Sequence, residues 1–174
     1  MRQGNMKASE RLKIERQHMR ERDPMERARV FKEVNLGLET EVAKLEAQRC
    51  LQCKNAKCIE GCPVSVRIPE FINLLAEGKF EDAARMLLED NSLPGIAGRV
   101  CPQETQCEGV CVRGNKGLPV AIGYLERFIA DWARENLGTN HAKPPTPTGK
   151  RVAIVGAGPA GLTAAGQLVR MGHE

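Results

Sequence analysis

The chain has 174 residues, 41% hydrophobic and 28% charged, with a formal net charge of +4 and 3% aromatics, which supports one modest core or two small units. No run of about 18 uncharged apolar residues exists, so no transmembrane helix is expected, and the charged residues 1–22 lack the apolar stretch of a secretory signal, which points to a cytoplasmic chain. Acids and bases alternate through 10–29 as on a solvated helix face, and the scarcity of aromatics removes base-stacking platforms, so nucleic acid is not an expected partner.

Residues 1–48 read as charged helices, with Asp23-Pro24-Met25-Glu26 as one start: an N-cap, a proline at the first helical position and an acid at N3. They either cover the rest of the chain or dock a partner, and mixed-charge helices are common covers. A second helix follows Thr40 through Val42, Leu45 and Ala47 and runs into Cys50. Pro69 opens another with Phe71, Leu74 and Leu75 on one face. The next starts near Phe80 and continues through Ala84, Leu87 and Leu88. A last one spans residues 119–137, with Ile122, Leu125, Ile129 and Trp132 at helical spacing. Residues 49–137 show no alternating strand and read as an all-α unit. Residues 138–150 form a Pro-rich linker, and 151–174 begin a different unit.

Seven cysteines, an odd number in a chain without a signal, favour metal or redox chemistry over disulfides. The first run is Cys50-x2-Cys53-x4-Cys58-x3-Cys62-Pro63; the second is Cys101-Pro102-x4-Cys107-x3-Cys111. Three close cysteines followed by x3-Cys-Pro is the bacterial ferredoxin pattern, in which the fourth cysteine ligates the other cluster. On that reading Cys50, Cys53 and Cys58 hold one 4Fe–4S cluster, completed by Cys111 crossing back. Cys62 crosses over to join Cys101 and Cys107 on a second.

Two such clusters take eight ligands and seven cysteines leave one place open. His18, His141 and His173 all lie far from the cysteines in sequence. Glu126 sits at the edge of the last helix's apolar face, where a carboxylate needs a partner; it is either that ligand or an ordinary rim residue. The alternative to clusters is a zinc-stabilised interaction domain, against which four cysteines crowded into one run ending in Cys-Pro weigh.

Residues 151–155 (Arg-Val-Ala-Ile-Val) read as a buried strand, followed at once by Gly156-Ala157-Gly158-Pro159-Ala160-Gly161 and a small-residue helix. In a dinucleotide-binding unit Gly156 makes the turn and Gly158 lets the backbone approach a pyrophosphate. Gly161 lets helix and strand pack, and Pro159 and Ala160 open the helix. The acidic residue that grips the ribose should end a second strand, and Glu174 precedes it. The expectation is a truncated Rossmann-like unit in a fragment that binds FAD poorly by itself.

Cys50-Leu-Gln-Cys-Lys-Asn-Ala-Lys-Cys-Ile-Glu-Gly-Cys-Pro63, Arg99-Val-Cys-Pro102 and Val152-Ala-Ile-Val-Gly-Ala-Gly-Pro-Ala-Gly-Leu162 together resemble the glutamate synthase small (β) subunit family. The same architecture occurs in the NADPH subunit of bifurcating ferredoxin:NADP oxidoreductases and the N-terminal part of dihydropyrimidine dehydrogenase. The resemblance implies a mainly α, ferredoxin-like two-cluster domain ahead of FAD and NAD(P)H domains. Electrons would pass from NAD(P)H to FAD and through the clusters to a catalytic or ferredoxin-linked partner subunit. It also implies a Gln or Glu ligand in a Pro-x-x-Ile-Gly-x-Leu-(Gln/Glu) segment, which here is Pro119-Val-Ala-Ile-Gly-Tyr-Leu-Glu126 and makes Glu126 the preferred eighth ligand.

Overall fold

The computed structural model describes residues 6–138 and 145–174, which are helical with no strand among them. The helices are α1 (Ala8–Arg11), α2 (Pro24–Arg27), α3 (Thr40–Gln48), α4 (Lys57–Glu60), α5 (Ile68–Ala76), α6 (Phe80–Asp90), α7 (Pro94–Val100), α8 (Ile122–Asn136) and α9 (Pro159–Arg170). Short 3-10 turns occupy Gln103–Thr105 and Val112–Lys116.

The core lies where α3, α5, α6 and α8 meet. Ala43 and Ala47 of α3, Phe71, Ile72 and Leu75 of α5, Ala84 and Leu87 of α6, and Leu125 and Ile129 of α8 are buried there. These positions recur every three to four residues, so each helix gives one apolar stripe to the others. Arg67 ties the start of α5 to the end of α6: its Nε lies 3.0 Å from both carboxylate oxygens of Asp90, and its backbone N–H donates to Asp90 at 2.9 Å.

The N-terminal segment departs from expectation. Asp23 does cap, its carboxylate accepting from the N–H groups of Met25 and Glu26, but α1 and α2 are single turns. The rest is an irregular strap across the core. A helix would consume the carbonyls of Leu12 and Ile14; here they accept from Arg113 Nη2 at 3.0 and 2.7 Å, and Ile14 also accepts from Arg49 Nε at 3.1 Å. The segment has mixed charges and no apolar stripe, so packing gives a helix nothing to gain. It covers the core, as its charge pattern suggests.

Two other boundaries have tertiary causes. α8 starts at Ile122 rather than Pro119, because the carbonyls of Leu118 and Pro119 accept from Arg49 and the Ala121 N–H donates to Glu46. α7, with two glycines in seven residues, is a poor helix by propensity and has no counterpart among the helices expected from the sequence. It forms against α8, and Gly98 permits the approach: a Cβ there would stand 2.6 Å from the Arg127 backbone nitrogen.

The expected strand at 151–155 is not formed, although the helix after it is. Val152 N–H donates to Glu174 at 2.7 Å and Glu174 N–H to Lys150 at 3.0 Å, and Val155 is wholly exposed. A strand of a parallel sheet exists through ladder bonds to neighbouring strands, and beyond these two bonds with Glu174 the described residues supply none to 151–155. The 139–144 part of the expected linker lies outside the described residues. No helix among those described is long and apolar enough to cross a membrane.

Candidate metal centres

The cysteine runs lie in loops whose backbone is pinned from several directions. Cys50 closes the turn after α3, its N–H donating to Ala47 at 3.1 Å, and its carbonyl accepts from Arg11 Nη1 at 2.8 Å. Its neighbour Arg49 is buried with Glu46 in an ion pair of 2.6 Å. Glu46 also accepts from the N–H groups of Gln17 and Ala121, each at 2.7 Å. One buried pair thus fastens the strap, the end of α3 and the approach to α8. Cys53 follows Gln52, a non-glycine residue at φ +52° whose amide donates to the Pro69 carbonyl at 3.0 Å. Cys58 lies in α4, and Cys111 precedes the 3-10 turn that carries Arg113.

Cys62 ends the first run. Cys101 follows α7, its N–H donating to Ala97 at 3.1 Å. Beside Cys107, the buried Glu108 accepts from Arg16 at 2.7 Å and from the Gly123 N–H at 3.2 Å, fixing this loop to the strap and to the first turn of α8. Gly61 lets the runs touch: a Cβ there would meet Val110 Cγ2 at 2.6 Å and the Gln106 carbonyl at 3.0 Å.

Two cavities result. Cys50, Cys53, Cys58 and Cys111 wall the first, with Pro69 and Val120. Cys62, Cys101, Cys107 and Glu126 wall the second, together with Asn91 and, from α9, Pro159 and Thr163. The second encloses about 250 Å³; the first leaves about 20 Å³ between the side chains, so a cluster there would press the thiols apart. His18 and His173 wall neither cavity, and His141 lies outside the described residues.

The chemistry of this donor set suits a cationic cluster. Burial pushes the Cys50 thiol up to about 11, and its thiol neighbours Cys111 and Cys53 add to the shift. Cys58 rises to about 12 through burial and then through Cys50, Cys111 and Cys53. In the second cavity burial raises Cys107 to about 12, helped by Glu108, Cys62 and Glu126, and raises Cys101. Glu126 is lifted to about 7 by burial, against a lowering hydrogen bond from Asn91. Buried thiols and a buried carboxyl raised in this way become thiolates and carboxylate readily when a metal supplies positive charge beside them. Among the described residues no three His, Cys, Asp or Glu side chains converge on a single-ion site.

The sequence profile for dihydropyrimidine dehydrogenase domain II, 4Fe–4S cluster, matches residues 27–137, which include every cysteine and Glu126. The chain belongs to this family. The chain is also 45% identical over 130 residues to the glutamate synthase [NADPH] small chain of Escherichia coli K12, covering 75% of this chain and 28% of the relative. The Bacillus subtilis 168 small chain of the same name is 37% identical over 172 residues, 94% of this chain and 34% of the relative. A glutamate synthase [NADH] of Schizosaccharomyces pombe is 38% identical over 165 residues, 94% of this chain and 8% of the relative. The chain therefore spans about a third or less of these relatives.

The glycine segment is placed but not built into a sheet. Gly156 takes φ +109°, Gly158 precedes α9, and Pro159 and Ala160 open that helix. A Cβ on Gly161 would collide with the Gly156 carbonyl, so this glycine permits the tight turn. α9 leans on the α6–α7 junction, where Arg170 donates to the Leu88 carbonyl and to Ser92 Oγ. Sequence reading passed over the residues that hold the loops, namely Arg11, Glu46, Arg49, Asn91 and Arg113. Only Asn91 carried a local signal, as a turn-forming residue shortly before a Pro-initiated helix.

Proposed function

We propose that this chain is the iron–sulfur relay of an NAD(P)H-dependent flavoprotein oxidoreductase of the glutamate synthase small-subunit type. It carries electrons between FAD and a catalytic partner subunit. Cys50, Cys53, Cys58 and Cys111 hold one 4Fe–4S cluster; Cys62, Cys101, Cys107 and Glu126 hold the other. When bound, the clusters supply one-electron carriage at low potential. The chain's own part is to fix eight donors, exclude water with the α5 and α8 side chains, and tune each cluster through ligand type and hydrogen bonds.

The supporting observation is the interleaving of the runs: Cys111 of the second run walls the first cavity, and Cys62 of the first run walls the second. Gly156, Gly158, Pro159, Ala160 and Gly161 would serve the flavin, and Pro159 lies at the second cavity. A cytoplasmic site of action suits oxygen-labile clusters. The deciding experiment measures iron, acid-labile sulfide and zinc on anaerobically purified protein, with EPR after dithionite reduction. About eight irons and eight sulfides per chain with reduced 4Fe–4S signals support the relay; stoichiometric zinc without sulfide overturns it.

A further inference from the structure

Asn91 sits in the turn between α6 and α7 and is held there by its own bonds. Its backbone N–H donates to Leu87 at 2.9 Å, and its side-chain Oδ1 accepts from the Leu93 N–H at 2.9 Å. With Oδ1 engaged, the amide has one orientation: flipping it would set the NH2 group against the Leu93 N–H. The NH2 group is thereby aimed into the second cavity, where Nδ2 donates to Glu126 Oε1 at 2.8 Å.

We propose that Asn91 is the positioning residue for Glu126, engaging one carboxylate oxygen so that the other alone is offered to iron. The proposal rests on the reading of Glu126 as the eighth ligand. A carboxylate can take a metal through one oxygen or two, whereas each thiolate around a cluster offers one sulfur. A fixed donor on Oε1 makes the carboxylate behave as a single-atom ligand like its three cysteine neighbours. It also draws charge from the ligand, which favours the reduced cluster, since hydrogen bonds to ligands raise potential.

The test uses the full chain purified anaerobically, with iron and sulfide content and an EPR-monitored redox titration. Asn91→Ser and Asn91→Thr both keep a hydroxyl acceptor for the Leu93 N–H, both remove the amide donor to Glu126 and neither adds charge, so either variant suffices if the other fails to fold. Glu126→Ala first marks the cluster signal that depends on Glu126. The expected result is that the Asn91 variants shift the midpoint potential of that same signal to more negative values, leave the other signal in place, and retain iron. If Glu126→Ala alters one signal and neither Asn91 variant moves it, the positioning role is overturned while the ligand assignment stands. If Glu126→Ala alters neither signal, the ligand assignment fails and the proposal fails with it.

Discussion

The Glu46–Arg49 pair offers the sharpest test of how the first cysteine loop is held. Glu46 is 0% exposed and Arg49 1%. Replacing Glu46 with leucine leaves the Arg49 guanidinium buried without its counter-charge and strips the Gln17 and Ala121 N–H groups of their acceptor. Breaking one side of a buried pair costs about 3–5 kcal/mol, and in a chain of this size that corresponds to a melting point lower by about 10 °C. Arg49→Met should cost a comparable amount, since it leaves the Glu46 carboxylate buried without its counter-charge and removes the donor to the Leu118 carbonyl. The double variant carries no uncompensated charge, so its cost should fall short of the sum by more than about 1 kcal/mol. Anaerobic urea unfolding of the three variants, with iron content determined on each, measures this. A Glu46→Leu cost below about 1 kcal/mol, or strict additivity, would refute the reasoning.

Three further outcomes follow from the same geometry. Cys53→Ala should lower bound iron from about eight to about four per chain, and unchanged iron would remove Cys53 from the ligand set. Gly98→Ala drives a methyl group against the Arg127 backbone at 2.6 Å and should destabilise by about 1–3 kcal/mol in denaturant unfolding; a neutral effect would mean α7 can slide on α8. At Asp90, burial alone would raise the carboxyl, but the Arg67 guanidinium and N–H outweigh it and hold the group below its ordinary 3.8. A depressed carboxylate contributes stability that is fully present above its ordinary value and is lost below it, as pH falls through the lower value of the folded state. Arg67→Met should therefore cost about 1 kcal/mol near neutrality, Arg67 being partly exposed and screened, and the difference from the parent should shrink below pH 3.8 in thermal melts; a pH-independent cost would assign it to packing instead.

The sequence by itself determined whatever repeats over a few residues. The apolar periodicity of Phe71–Leu75, Ala84–Leu88 and Ile122–Trp132 defines α5, α6 and most of α8, because burying one stripe is a local requirement on each helix. Cysteine spacing also divides the thiols into two groups, since a short loop can bring only nearby thiols to one cavity and the rest must cross over. Tertiary structure decided the remainder. The strap is not helical because its carbonyls accept from Arg49 and Arg113, tens to about a hundred residues away. α7 exists because α8 is there to receive Gly98. Residues 151–155 have the composition of a strand and lack one, because ladder bonds must come from another segment. Glu126 shows both sides: its place on the helix face was legible, whereas Asn91, 35 residues earlier, meets it only through the packing of the α6–α7 turn on α8.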